Sequence, residues 1–135
     1  MANTFSLKIV TPDGKELQDE VSILNCVTTA GAIGILANHI PLVAILPISH
    51  LNYKKPDGNS GIESIDIAIA GGVVSFKENE ATVLAEAFET KEEIDRARAE
   101  EAKKRAEERL ASDDPNIDVK RAELSLKRAM SRLSL

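Results

Sequence analysis

Aromatic residues are nearly absent from this chain: no Trp, one Tyr and three Phe in 135 residues. Any core must therefore be built from Ile, Val, Leu and Ala, which pack well but offer few large anchors. A single cysteine, Cys26, excludes an intramolecular disulfide. Its place in the apolar run Val21 to Thr28 predicts a buried, inert thiol rather than a nucleophile. The two histidines, His39 and His50, have no Cys or acid at ligand spacing, so no metal site is expected. His39, between Asn38 and Ile40-Pro41, reads as a structural loop residue rather than a base. No Gly-rich phosphate loop and no carboxylate pair suited to Mg2+ is present, which argues against nucleotide hydrolysis. No Ser/His/Asp or paired-acid constellation in a turn points to an enzyme on this framework.

Charge is missing from one long stretch. No Asp, Glu, Lys or Arg occurs between Val21 and Tyr53. That stretch is nevertheless broken by Asn25, Thr28, Thr29, Gly31, Gly34, Asn38, His39, Pro41 and Pro47. A bilayer helix needs about 20 mostly apolar residues, so buried strands and turns are expected instead of a membrane span. The start, MANTFSLKIV, lacks the basic-then-apolar order of a secretory leader.

What is present divides by period at residue 90. Phe5 to Val10 alternates apolar and polar, and Thr11-Pro12-Asp13-Gly14 is a turn. Val21 to Thr28 reads as a second strand and Leu42 to Ile48 as a third, ended by Pro47 at a sheet edge or bend. Lys55 to Asn59 is another turn, and Ile65, Ile67 and Ile69 share one face of a strand broken by Gly71-Gly72. The glycine pair marks either a close-contact surface or a sharp corner. Val73 to Phe76 and Ala81 to Ala85 pair across Glu78-Asn79-Glu80. Short strands with frequent turns predict a β-sandwich or flattened barrel.

From Thr90 the pattern becomes helical. Thr90-Lys91-Glu92-Glu93 reads as a capping box, and good helix formers run on to Ala111. Ser112 to Asn116 interrupts, and a second helix follows, capped by Asp114 or Asn116. Val119, Ala122, Leu126, Ala129 and Leu133 recur at spacings of 3 and 4, a seam for a partner helix. The fold class is thus α+β: an antiparallel β-sandwich over 1–89, then an antiparallel two-helix hairpin over 90–135. The first helix offers the seam mainly Ala97, Ala99, Ala102, Ala106 and Leu110. Alanine burial contributes little beside about 1.5–3 kcal/mol for a full Leu or Ile, so the hairpin should need a further partner and should be able to detach. Charge divides the same way: residues 1–90 carry five basic and eleven acidic side chains, whereas 116–135 carry five basic and two acidic. The acidic body and scarce aromatics disfavour nucleic-acid binding.

Two segments resemble the epsilon subunit family of F-type ATP synthases. One is Gly31-Ala32-Ile33-Gly34-Ile35-Leu36-Ala37-Asn38-His39-Ile40-Pro41-Leu42, with Ala32 where the family usually has an acid. The other is Gly71-Gly72-Val73-Val74 with the strand ending Leu84-Ala85-Glu86-Ala87. The resemblance implies a non-catalytic central-stalk subunit, peripheral on the cytoplasmic face of the cell membrane. Its sandwich would dock on the gamma subunit and the c-subunit ring. Gly31, Ile33, Gly34, Ile35, Leu36, His39 and Pro41 are the docking candidates. Its hairpin would either fold against the sandwich or extend toward the catalytic alpha/beta head and inhibit ATP hydrolysis.

Ile94-Asp95-Arg96-Ala97-Arg98-Ala99-Glu100-Glu101-Ala102-Lys103-Lys104-Arg105 further resembles a nucleotide-binding, bacterial version of that family. Independently of the family, Asp95, Arg98, Ala99, Ala102, Arg105 and Ala106 fall on one helix face roughly 120° wide. The alanines leave room for a flat ring, and the arginines are forked donors suited to phosphate. Arg121, Arg128 and Arg132 share a face of the second helix beside the apolar seam and could converge on the same ligand, with Arg128 and Arg132 as candidate ATP contacts. By resemblance, Glu89 and Ile94 join the candidate ATP ligands, and ATP is a regulatory ligand rather than a required cofactor. The bland reading of the same helix is a solvated face held by pairs such as Glu100 with Lys104. A free-standing ATP-binding sensor module is the alternative function.

Overall fold

Residues 3–59 and 61–135 are described by the computed structural model; Met1 and Ala2, where the sequence was read as lacking a leader, and Ser60 lie outside them. The alternating half becomes eight strands: β1 (Phe5–Val10), β2 (Glu16–Val21), β3 (Ile23–Thr28), β4 (Gly31–Leu36), β5 (Leu42–Pro56), β6 (Ile62–Lys77), β7 (Glu80–Ala85) and β8 (Phe88–Thr90). They form one hydrogen-bonded path, β2-β1-β7-β6-β5-β3-β4, with β8 added beside β6. Neighbours are antiparallel except β1 and β7, which run parallel.

Several strands differ from expectation. Val21 to Thr28 is not one strand; it divides at Ser22, whose N–H and hydroxyl both donate to the Lys54 carbonyl at 2.8 and 3.0 Å. The Gly31 to Leu42 motif begins as strand β4, disguised by its glycines. Neither Pro47 nor Gly71-Gly72 ends its strand. β5 and β6 run through them as a 14-rung ladder with one gap, where Leu46 pairs Gly72, Ile48 pairs Ala70, and Pro47 faces Gly71. Proline brings no N–H to that rung, and Gly71 bends there with φ 94°.

The bend turns one sheet into two layers. The N-terminal half of β5 and the C-terminal half of β6 lie with β7, β1 and β2. The opposite halves lie with β8, β3 and β4. Phe5, Leu7, Ile9, Val74, Phe76 and Val83 of the first layer pack with Leu24, Cys26, Ile35, Leu51, Tyr53, Ile67 and Ile69 of the second. Burial pushes the Cys26 thiol up to about 11, so it stays protonated at neutral pH. Asp19 on β2 accepts from Tyr53 at 3.3 Å and pairs with Lys55 at 2.9 Å, which ties the edge of one layer to the other. The β6–β7 turn puts Glu78 and Asn79 at φ 51° and 59°, as a two-residue hairpin requires.

The helices are α1 (Arg96–Ala111) and α2 (Val119–Leu133). Both start later than the sequence suggested. Thr90 and Glu93 do bond as a capping pair would, the Thr90 N–H donating to Glu93 Oε1 at 3.2 Å, but they close an isolated turn. The caps of the helices are Asp95, which accepts from the Arg98 N–H, and Asp118, which accepts from the Arg121 N–H, each at 3.0 Å. Asp114 and Asn116 instead shape the connecting turn. Arg96 donates to the Leu133 carbonyl at 2.7 Å, so the ends of an antiparallel pair meet. Ala99, Ala106, Ala122 and Ala129 are buried between the helices. Ala97 is exposed, contrary to the seam drawn from sequence, and Val119 is 54% exposed.

The hairpin rests on the outer face of the second layer through the last turns of α2. The Ser131 carbonyl meets His50 Nε2 at 2.5 Å, and Arg132 pairs with Glu89 at 2.8 Å. On the outer face of the first layer Ile45, Val73 and Leu84 stand in one register row, and Leu84 faces Val10 on β1. A Cβ at Gly72 would run into the Leu84 carbonyl, so this glycine serves close strand approach. Gly72→Ala should cost roughly 2 kcal/mol or more in urea unfolding followed by circular dichroism, with both helices still formed in the remaining folded fraction.

Candidate functional site

The linker after β7, the first turns of α1 and the last turn of α2 surround a cleft of about 460 Å3, lined by Glu89, Glu93, Asp95, Arg98, Ala99, Ala102, Arg105 and Arg132. That volume falls in the range of small-molecule sites. Each element places its residues for a local reason. Asp95 caps α1, which brings Arg98, Ala102 and Arg105 onto the face turned to the linker at 3- and 4-residue spacing. Glu89 sits on β8, paired through Ala68 to β6. Arg132 reaches it from α2.

Charge in the cleft is balanced but unevenly engaged. Three carboxylates face three guanidiniums around the lining. Glu89 is committed to Arg132 at 2.8 Å, and Asp95 holds the Arg98 backbone N–H at 3.0 Å. Glu93 accepts from Lys15 Nζ at 2.7 Å and from the Thr90 hydroxyl at 3.0 Å. Arg98 and Arg105 have no carboxylate within ion-pair distance among the described residues. The cleft therefore offers two uncommitted forked donors at its α1 wall, an arrangement for phosphate oxygens.

The sequence candidates divide accordingly. Glu89, Asp95, Arg98, Ala99, Ala102, Arg105 and Arg132 converge. Ile94 is half-buried in the turn before α1, outside the lining and off the helix to which its motif assigned it. Arg128 borders instead a small crevice beneath α2 with Ala68, Phe88, Glu89 and Arg132. Arg121 stands at the hairpin tip beside Arg109 and Asn116, too far along the helix to share a ligand with the cleft. Ala99 belongs to the helix seam at 3% exposure, so it floors the cleft rather than opening a wide groove. Of the docking candidates, Gly31, Gly34, Leu36 and Pro41 are exposed and Ile33 and His39 half-buried. Ile35 is fully buried in the core and supports the strand from beneath; it presents nothing to a partner. The His39 ring lies edge-on to Phe76, centroids 5.9 Å apart, and its Nδ1 lies 2.8 Å from the Ile40 carbonyl.

Two residues were missed. Glu93 was absorbed into a helix cap, and Lys15 lies 78 positions from it in a turn with no motif. Lys15 also donates to the Phe88 carbonyl at 2.8 Å and stands 4.5 Å from the Phe88 ring centre.

Two family models match the chain in turn. Residues 4–91 match the ATP synthase delta/epsilon chain β-sandwich domain, and 92–135 the long α-helix domain of the same chain. The ATP synthase epsilon chain of Ligilactobacillus salivarius is 43% identical over 134 residues, covering 97% of this chain and 94% of that one. That of Bacillus licheniformis is 42% identical over 132 residues, covering 98% and 97%. That of Clostridium novyi is 42% identical over 135 residues, covering 100% and 99%. A chain in the Euglena gracilis mitochondrial ATP synthase, a structure of OSCP, F1 and c-ring, shares the fold with a TM-score of 0.79 at 21% identity, covering 98% of this chain and 80% of that one. This chain belongs to the ATP synthase epsilon chain family, whose members are non-catalytic subunits of the synthase.

Hydrogen bonds from Lys15 first, and from Thr90, hold the Glu93 carboxyl below the usual range despite some desolvation. A depressed carboxyl stabilises the fold above its ordinary value of about 4.3 and loses that contribution as pH falls through the lowered one. The pair is surface-exposed, so Glu93→Gln should cost under about 1 kcal/mol at pH 7. Urea titrations of the two proteins should converge as the pH drops toward 3.

Proposed function

We propose that this chain is a rotor subunit whose hairpin is held down by ATP. The 1–89 unit docks on the gamma subunit and the c-subunit ring, at the cytoplasmic face of the membrane. The 90–135 unit is the regulatory element. Its observed position against the sandwich is the resting, permissive state, and its release toward the alpha/beta head is the state that inhibits ATP hydrolysis.

The observation that carries the nucleotide reading is the pair of uncommitted arginines, Arg98 and Arg105, in a 460 Å3 cleft bounded by the linker and both helices. A polyphosphate between them would replace packing that the alanine seam lacks. A ligand that binds only this folded form stabilises it by mass action. The rotor reading draws on a different surface. Val43, Ile45 and Leu84 are 75, 60 and 56% exposed on the outer face of the first layer, and Leu36 at the end of β4 and Ile40 on the β4–β5 connection are 57 and 74% exposed. An apolar face of that extent on the side away from the hairpin fits a protein partner. The Euglena neighbour comes from an assembly of OSCP, F1 and c-ring, which supports the same choice of partner.

Calorimetric titration of the intact chain with ATP tests the cleft. One site is expected, and Arg98→Ala or Arg105→Ala should weaken it about tenfold or more, the loss of a charge-assisted phosphate contact. Absence of heat and of any change in helicity with the wild-type chain would remove ATP from the account. The docking face is tested apart from it. Ile45→Asp with Leu84→Asp should abolish recovery of the chain with the rotor complex while leaving its fold and ATP binding intact.

A further inference from the structure

Lys15, in the β1–β2 turn, reaches across to the linker and makes three attachments there: 2.8 Å to the Phe88 carbonyl, 2.7 Å to Glu93 Oε2, and a stand over the Phe88 ring. Glu93 borders the cleft. Of the other two lining carboxylates, Glu89 is paired with Arg132 and Asp95 is turned to the α1 backbone, where it accepts from the Arg98 N–H. Glu93 alone is balanced by a cation from outside the lining, together with the neutral Thr90 donors.

We propose that Lys15 is a positioning residue of the nucleotide cleft: it draws the Glu93 carboxylate to the sandwich side, so that this charge does not oppose a polyphosphate held by Arg98 and Arg105. The proposal rests on the cleft being the ATP site. It also makes the cleft depend on the hairpin's place. Lys15 belongs to the sandwich and Arg98 to α1, so the favourable charge balance exists only when linker and sandwich are in register. An extended hairpin that pulled Glu93 off Lys15 would carry a cleft with one more unbalanced negative charge. At a dielectric near that of water, a unit charge about 4 Å from a phosphate charge is worth about 1 kcal/mol, a change in affinity of about threefold to tenfold.

A double-mutant cycle on the full chain, read by ATP titration, tests it. Lys15→Met should raise the Kd about threefold to tenfold. Lys15→Arg should stay near wild type, because an arginine there still reaches Glu93. Glu93→Gln should bind as tightly as wild type or more tightly. Lys15→Met added to Glu93→Gln should then cost nothing further. An equal loss from Lys15→Met in both backgrounds would overturn the proposal, because Lys15 would be acting through its own charge. No loss from Lys15→Met in the wild-type background would overturn it as well. If the wild-type chain took up no ATP, the cleft reading itself would fail and this one with it, an outcome distinct from the other two. Melting curves for each variant separate affinity from folding.

Discussion

Ala99 and Ala106 on one helix, Ala122 and Ala129 on the other, are buried where the two meet. A seam of single methyl groups brings the backbones close and removes little apolar area from water. Helices of 16 and 15 residues are marginal in isolation. The C-terminal half therefore cannot stand on hydrophobic burial alone, and the rest of the structure answers to that shortage. Its hold on the sandwich is polar: Arg132 on Glu89, the Ser131 carbonyl on His50, Lys15 on the linker. Polar contacts of this sort are each worth little when exposed, and they can be made and broken without disturbing the sandwich core.

The sandwich is the opposite case. Its long strands β5 and β6 pass through both layers, so the layers cannot separate without breaking one continuous ladder. Phe5 and Phe76 meet edge to face at 5.4 Å in its interior, and most other core positions are aliphatic. A rigid base with a loosely fastened hairpin is what a regulated rotor subunit requires. Under the proposed function, the base would transmit torque while the hairpin would exchange between two positions at low cost. A ligand that bridges α1, α2 and the linker acts on the weakest part of the molecule, where a given binding energy moves the equilibrium furthest.

Much of this was legible in sequence because the signals are local. Period-2 alternation marks Phe5–Val10 and Ile65–Ile69, and Pro-Asp-Gly and Glu-Asn-Glu mark turns. The face shared by Asp95, Arg98, Ala102 and Arg105 follows from helical geometry. The failures have a common cause in tertiary context. Pro47 and Gly71-Gly72 look like strand ends, yet each occupies the one rung the other leaves vacant, so both strands continue and bend. Thr90 and Glu93 make the expected mutual contact, but Lys15 captures the second Glu93 oxygen and the helix starts five residues later, after Asp95. Arg121 shares an azimuth with Arg128 and Arg132, but azimuth ignores height along the axis, and two or three turns of helix put it at the tip. Ile35 sits in an exposed-looking glycine motif and is nevertheless core, because β4 alternates beneath its glycines.

Hydrogen exchange of the α2 amides, Ala122 to Leu133, with and without ATP, bears most directly on the claim that a nucleotide fastens the hairpin. At ATP one hundred times the Kd these amides should slow by about a hundredfold, as mass action on the folded form requires, while the β5–β6 ladder is unchanged. Binding of ATP with no change in α2 exchange would contradict the account, because the ligand would then be indifferent to whether the hairpin is down.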